Sequence, residues 1–327
     1  MTDLTALLDG LGPHTPRIGL GGGPLGNHGV AISDDDAAAT VREAWDLGIR
    51  YFDTAPHYGL GLAERRLGEA LRGRPRKEFI ISSKVGRLIV PAEQPREFDD
   101  DGFIVPGDQT RQWDFSAAGV ERSLDSSLER LGLDYIDILL VHDPDQAWPG
   151  AAREGLDSLA RLKADGRVGA VGIGTNSTAG LETFIDDGTV DVIMLANRYS
   201  LLTDDALEPV LEPARRAGVA VVAVGVFGTG LLATPRPVAG ASLEYRAADR
   251  AAIERAEAIA DVCEAHGTDL PTAAIAYPLL HPAVQAVALG MRSPAEAAAN
   301  VRRAAATVPA ALWVALADAG LVPAPVA

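Results

Sequence analysis

Four titratable side chains fall at or just beyond the ends of three consecutive apolar runs. Asp53 lies in RYFDTA, Tyr58 follows it by five residues, Lys84 ends EFIISSK, and His142 ends IDILLVH. Taken singly, a strand-end aspartate is commonly a helix cap and a strand-end lysine a solvated charge. Gathered on one rim of one sheet, a carboxylate, a phenol, an ammonium and an imidazole form a set that can hold and pass a proton at a substrate oxygen.

The elements that would gather them are legible as a cadence. Short apolar runs alternate with longer amphipathic ones from about residue 17 to residue 307, the pattern of repeated βα units on a parallel sheet. Eight candidate strands appear: RIGLGGG, RYFDTA, EFIISSK, IDILLVH, AVGIGT, DVIMLA, VAVVAVG and VQAVALG. Between them, stretches such as 35–47, 119–131, 155–165, 181–187, 205–217 and 250–266 carry apolar residues near the 3.6 period. Eight such units predict an α/β fold of the (β/α)8 TIM barrel type, one domain over residues 1–327, whose loops after the strands form the catalytic face. One segment breaks the rhythm. Residues 87–115, with PAEQPREFDDDGFIVPGDQTRQW, are rich in Pro, Asp and Gly and lack a helical period, so we expect a long loop insertion overhanging the site. A second excursion, 234–248, should lie on the same face.

The segments RYFDTAPHYGLGLAERRLGEAL, FIISSK, IDILLVHDPD, GIGTN and GMRSPAEAAANV, in that order over nearly the whole chain, resemble the successive signature regions of the aldo-keto reductase superfamily. The most specific of these is D-T-A-x-x-Y-G at Asp53–Gly59. The loop after Lys84, VHDPD and MLANRYSLL are similar to the aldose 1-dehydrogenase branch, which includes L-fucose, D-threo-aldose and L-galactose dehydrogenases and pyridoxal 4-dehydrogenase. The resemblance implies hydride transfer between a nicotinamide and a substrate carbon, with Tyr58 as acid in reduction and base in oxidation. A phenol's unperturbed pKa of about 10 is high for a base near neutrality, and a cation within ~4–6 Å favours the phenolate. Lys84 would be that cation, Asp53 its counter-charge, and His142 the group orienting the substrate oxygen. His57 and Trp113 are candidates for the substrate pocket.

By the same resemblance, Thr175 and Asn176 in GIGTN and Asn197 beyond DVIMLA would meet the nicotinamide end of the cofactor, with Gly225, Phe227 and Gly230 at the pyrophosphate. Val224 stands where a stacking tyrosine is usual, so that contact is not implied. At the adenosine end, Gly290 replaces a customary lysine and Glu296 stands where an arginine is frequent, leaving Arg292 as the local cation and Asn300 for the adenine. A carboxylate accepts from a free ribose diol and repels a 2′-phosphate, so NAD is expected ahead of NADP. The alternative is that Glu296 is only an exposed acid favoured by a helix dipole.

Bulk properties exclude other classes. With 47% hydrophobic and 23% charged residues the chain is an ordinary globular sequence, and a formal charge of −16 disfavours nucleic acid or an anionic membrane as partner. Cys263 is the only cysteine, so no intrachain disulfide is possible; in the run 250–266 it is expected to be a buried inert thiol. MTDLTALLDG lacks a basic start and a long apolar stretch, and the expectation is a soluble cytoplasmic protein. No metal site is implied. The glycine-rich IGLGGGPLG, GLGLAE and VGIGTN do not meet the G-x-G-x-x-G fingerprint with its later acidic residue. The function expected is NAD(P)-linked oxidation of the anomeric hydroxyl of an aldose of L-fucose, L-galactose or D-arabinose type. The alternatives are a general aldehyde, ketone or pyridoxal oxidoreductase and, in a different class, a non-catalytic nucleotide-binding subunit on the same fold.

Overall fold

The structure, a computed structural model, describes residues 4–12, 15–244 and 246–323; Met1–Asp3 of the N-terminal segment and Tyr245 of the second excursion lie outside these. All eight expected strands form: β1 (Ile18–Gly21), β2 (Tyr51–Asp53), β3 (Ile80–Val85), β4 (Ile136–His142), β5 (Val168–Thr175), β6 (Val192–Ala196), β7 (Ala220–Val224) and β8 (Val284–Gly290). Each pairs in parallel with the next, and β8 returns to β1 through Ile18↔Val287 and Gly21↔Gly290, which closes the barrel. Among the described residues no helix is long and apolar enough to cross a membrane.

Side-chain alternation along the strands sorts residues into two cores. One set, including Tyr51, Ile80, Ile138, Leu140, Val192, Met194 and Val222, packs together inside the barrel, joined by Leu4 and Leu8 of α1 (Leu4–Gly10). The other set, including Phe52, Ile81, Leu139, Val141, Ile193 and Val221, packs against the helices. Continuing the inner rows by two residues at a time leads from Tyr51 to Asp53, from Ile80 through Ser82 to Lys84, and from Ile138 through Leu140 to His142. The same period that fills the barrel with apolar side chains therefore delivers three of the four candidate groups to its mouth. On β5 the corresponding inward position is Gly174, where a Cβ would stand 3.5 Å from Lys84 Cε, so that position leaves the mouth open.

The helices follow their strands: α2 (Asp34–Asp46), α3 (Leu62–Leu71), α4 (Ala117–Leu131), α5 (Ala151–Ala164), α6 (Leu181–Asp186), α7 (Glu212–Ala217), α8 (Arg250–Ala265), α9 (Leu270–Ala276), α10 (Pro294–Ala304) and α11 (Ala310–Asp318). Their sequences show why. In α4, Ser116 accepts from Gly119 N–H, Gly132 ends the helix in the left-handed region, and Val120, Leu124 and Leu131 form a buried stripe. Cys263 is buried in α8, and burial pushes its thiol up to about 11, consistent with an inert packing group.

The insertion after β3 is not an irregular loop. Arg87–Arg96 and Gly107–Trp113 form a two-stranded antiparallel ribbon, with Arg87 opposite Trp113 and Ile89 opposite Arg111. Its prolines and acids mask the alternation; Pro91 and Pro95 are tolerated because each strand of the ribbon pairs on one side only. In the second excursion Ser242–Leu243 pairs with Arg246–Ala247.

Candidate active site

Asp53, Lys84 and His142 are nearly inaccessible, at 3%, 2% and 7% exposure. Lys84 Nζ donates to both carboxylate oxygens of Asp53 at 2.9 Å and to the carbonyl of Thr54 at 3.0 Å. Ser82 Oγ donates to Asp53 Oδ1 at 2.7 Å, so the carboxylate cannot swing away from the ammonium. Burial alone would lower the lysine's pKa, but Asp53 and Tyr58 outweigh it and hold the ammonium above the ordinary lysine range.

Tyr58 comes from the turn between β2 and α3, and its ring centroid is 4.8 Å from Lys84 Nζ and 6.1 Å from the His142 ring, nearly perpendicular to the latter. The turn is pinned by a close backbone approach. Gly59, at φ +63°, lies against Gly26 of the segment after β1; a Cβ on Gly26 would come within 2.6 Å of the Tyr58 carbonyl carbon. Gly26→Ala is accordingly expected to displace the tyrosine turn. We expect it to cost ~1–3 kcal/mol of stability and to lower kcat more than a remote core change of equal cost, which melting temperature and turnover together would show.

Both histidines are held toward the neutral form. Burial, followed by the charges of Arg87 and Lys84, holds His142 well below the ordinary histidine pKa; burial, Arg87 and Arg111 do the same for His57. Their rings meet edge-on at 5.5 Å. His142 is thus suited to a neutral hydrogen bond at a substrate oxygen, and not to stabilising one as a cation.

Sequence reasoning missed the residues that build the wall beside these groups. Arg87, at the root of the ribbon, donates to Asp143 Oδ2 at 2.5 Å and lies over the Trp113 ring at 4.4 Å. Arg111, further along the ribbon, is clamped by Asp99 and reaches His57. Burial raises the Asp143 carboxyl to about 6 in spite of Arg87. The visible signal was the pair of arginines flanking an aromatic-rich segment, but charge in an apparent loop reads as solvated. Trp113 reaches this wall with one face toward Arg87 and a stacked contact to Phe115, so it is partly committed to packing.

The residues proposed for a cofactor form a second part of the mouth. Asn197, beyond β6, has φ +56°, and its buried side-chain oxygen has no partner among the described residues. Gly225, beyond β7, faces it; any Cβ there would fall 2.2 Å from that oxygen, so the glycine keeps the amide's surroundings open. Arg198 Nε donates to the Asn176 carbonyl at 2.6 Å and so ties the segments after β5 and β6 together. Asn176 itself is exposed, whereas the Thr175 hydroxyl donates to Asp145 at 2.7 Å and is thereby engaged in the protein. Phe227 and Gly230 lie in the turn after β7. At the end of β8, a Cβ on Gly290 would meet Pro24 at 3.1 Å. Glu296, in the first turn of α10, accepts from the Arg292 backbone N–H at 2.9 Å and stands 3.7 Å from the Arg292 guanidinium, while Asn300 is buried one turn on. Glu296 thus sits at the helix terminus, with its side chain 44% exposed.

Other buried carboxylates are structural. Glu64 bridges Ser83 and Arg130 between β3 and the helices, and Asp191 accepts from Lys163 and from Val171 N–H just before β6 begins.

The comparisons with known proteins agree with this architecture. Residues 17–317 match the model of the aldo/keto reductase family. A D-threo-aldose 1-dehydrogenase of a Pseudomonas species is 42% identical over 314 residues, covering 95% of each chain. Pyridoxal 4-dehydrogenase of Microbacterium luteolum is 35% identical over 325 residues, covering 93% of this chain and 94% of its own. Among solved structures, an aldo-keto reductase of Bacillus halodurans in its holo form superposes with a TM-score of 0.72 at 28% identity, over 95% of this chain and 93% of that one. With the closed parallel barrel, these matches show that the chain is an oxidoreductase belonging to the aldo/keto reductase family.

Proposed function

We propose that this enzyme oxidises the anomeric hydroxyl of an aldose to a lactone, using NAD in preference to NADP. The observation that carries the chemistry is the buried Asp53–Lys84 pair set 4.8 Å from the Tyr58 ring. A nicotinamide held here would supply the hydride-accepting carbon, and the rest falls to side chains. Tyr58, as phenolate beside the ammonium, takes the hydroxyl proton as the hydride departs from the sugar carbon; Lys84 stabilises that phenolate, and Asp53 keeps Lys84 charged and in place. Neutral His142 orients the reacting oxygen. The partnerless oxygen of Asn197, beside the space at Gly225, fits the N–H2 of a carboxamide, and an unpaired buried acceptor is costly unless a ligand satisfies it. The buried arginines and His57 around the mouth suit a polyhydroxylated substrate better than a purely apolar aldehyde, and the 42% identity to an aldose 1-dehydrogenase supports the same reading. A panel of L-fucose, L-galactose, D-arabinose, pyridoxal and simple aldehydes against both cofactors, followed by nicotinamide absorbance, tests it. Faster use of pyridoxal than of any sugar would favour the second reading, which rests on the 35% relative.

Cofactor preference is expected to come from Glu296 in two ways: its charge repels a 2′-phosphate, and it draws the nearby Arg292 toward itself. We expect NAD to be preferred by roughly 10–100-fold in kcat/KM. Glu296→Gln, which keeps a cap acceptor, should erode that preference, and Glu296→Arg should reverse it with little change in kcat at saturating cofactor. Equal or better use of NADP by the unaltered enzyme would move the specificity role to Arg292.

A further inference from the structure

We infer that Arg111 is a positioning residue that fixes His57 as the tautomer protonated on Nε2, making His57 a hydrogen-bond donor to a hydroxyl or ring oxygen of the substrate. The substrate half of this inference rests on the aldose reading above.

Arg111 Nε lies 2.7 Å from His57 Nδ1, and its Nη2 donates to the His57 carbonyl at 2.9 Å. Arg87 Nη1 approaches the same Nδ1 at 3.3 Å. A guanidinium carries only donors and does not lose its proton in proteins, so the atom that meets it must be an acceptor. Nδ1 is therefore bare. Were it protonated, an N–H would point at two guanidinium groups, and among the described residues the carboxylate paired with it, Asp101, is 4.0 Å away, half exposed and already paired with Arg111. A neutral imidazole with Nδ1 bare carries its proton on Nε2.

Arg111 is built to hold this arrangement. Its side chain is 8% exposed, its partner Asp99 only 2%, and the guanidinium binds both Asp99 oxygens while its Nε edge turns to the histidine. A planar fork can satisfy a carboxylate with one edge and an imidazole with another, which a lysine's single ammonium cannot. On its other side the His57 ring is 5.9 Å from Tyr58 and 5.5 Å from His142, so it adjoins the groups that face the reacting oxygen. Among the described residues no hydrogen bond takes up Nε2. A donor with a defined proton next to the reacting centre discriminates between substrates that offer a further oxygen and those that do not.

The tautomer can be read without turnover. Long-range 1H–15N correlation spectra of protein labelled at histidine nitrogens, with His57 assigned by its loss in His57→Gln, should show a neutral ring with Nδ1 unprotonated near neutral pH. Replacing Arg111 by Leu, together with Asp99→Asn so that no unpaired carboxylate is left, should convert it to a mixture of tautomers. Nδ1 protonation in the unaltered protein, or a tautomer that survives loss of Arg111, overturns the assignment. For the substrate half, His57→Gln keeps an amide N–H near the position of Nε2 and His57→Phe does not. His57→Phe should therefore raise KM for L-fucose by ~5–10-fold relative to His57→Gln, with a smaller change in kcat, and the loss should exceed that for propionaldehyde reduction by a similar factor. Equal effects of the two variants, or equal losses for sugar and aldehyde, overturn that half. Unaltered protein that oxidises no aldose overturns the functional reading and this half with it, whereas the spectrum decides the tautomer whatever the substrate is.

Discussion

Tyr58→Phe is expected to lower kcat by roughly 10²–10⁴-fold while leaving cofactor affinity within about threefold, because on the proposed mechanism it removes the proton-transfer group and no binding surface. The ring it retains keeps its stacked contact with Phe103, 6.2 Å between centroids, and its perpendicular contact with His142, so the mouth should hold its shape. Stability should therefore be nearly unchanged, which separates this variant from one that merely loosens the site. The measurement is single-turnover hydride transfer with a deuterated substrate, since an isotope effect shows that chemistry limits the rate. More than about a third of the original kcat, with the isotope effect present, would mean that another group carries the proton. His142 would then be examined first. Its neutral, buried ring at 5.5 Å from His57 is the alternative proton path that the geometry offers.

The sequence revealed the barrel because short apolar runs and helix-period segments alternate from β1 to α10, with the break at 87–115 the main departure. It also revealed Asp53, Lys84 and His142, since strand alternation puts them on the inward rows that begin at Tyr51, Ile80 and Ile138. Tyr58 was reached through its motif, and the structure adds the reason its turn is rigid, the Gly26–Gly59 approach. What stayed hidden was the wall around these groups. Arg87, Asp99, Arg111 and Asp143 are distant in sequence and meet only because a ribbon folds back over the mouth. Pro91, Pro95 and the acidic run Asp99–Asp101 obscure the ribbon's alternation, and no local pattern pairs Arg111 with His57 across 54 residues. Charge burial is a tertiary property, and a buried arginine looks in sequence like any exposed one.

Lys84→Met should be about as damaging to turnover as the tyrosine change, but with a different signature. The Lys84 ammonium, 4.8 Å from the Tyr58 ring centroid, attracts a phenolate and favours that form of the side chain. Loss of the cation disfavours the phenolate that oxidation needs on the proposed mechanism, so the rising limb of kcat/KM for oxidation should move to higher pH. The reduction limb, which needs the neutral phenol, should extend in the same direction. Near neutral pH the oxidising rate then falls from the base alone by about tenfold for each pH unit that the limb moves. Stability should fall too, because the buried Asp53 would keep, among the described residues, Ser82 alone as a hydrogen-bond partner; breaking a buried pair from one side typically costs ~3–5 kcal/mol. Thermal melts must therefore accompany the pH profiles, and the profiles must be taken where the variant is folded. Asp53→Asn separates the two effects, since the amide oxygen can still accept from Lys84 and Ser82 while the charge is gone; it should be milder in rate and shift the profile in the direction set by a less firmly held ammonium. A folded Lys84→Met enzyme with an unchanged alkaline profile would show that Lys84 packs against the Tyr58 ring without tuning it. The base strength would then have to come from the buried arginines of the mouth, Arg87 and Arg111.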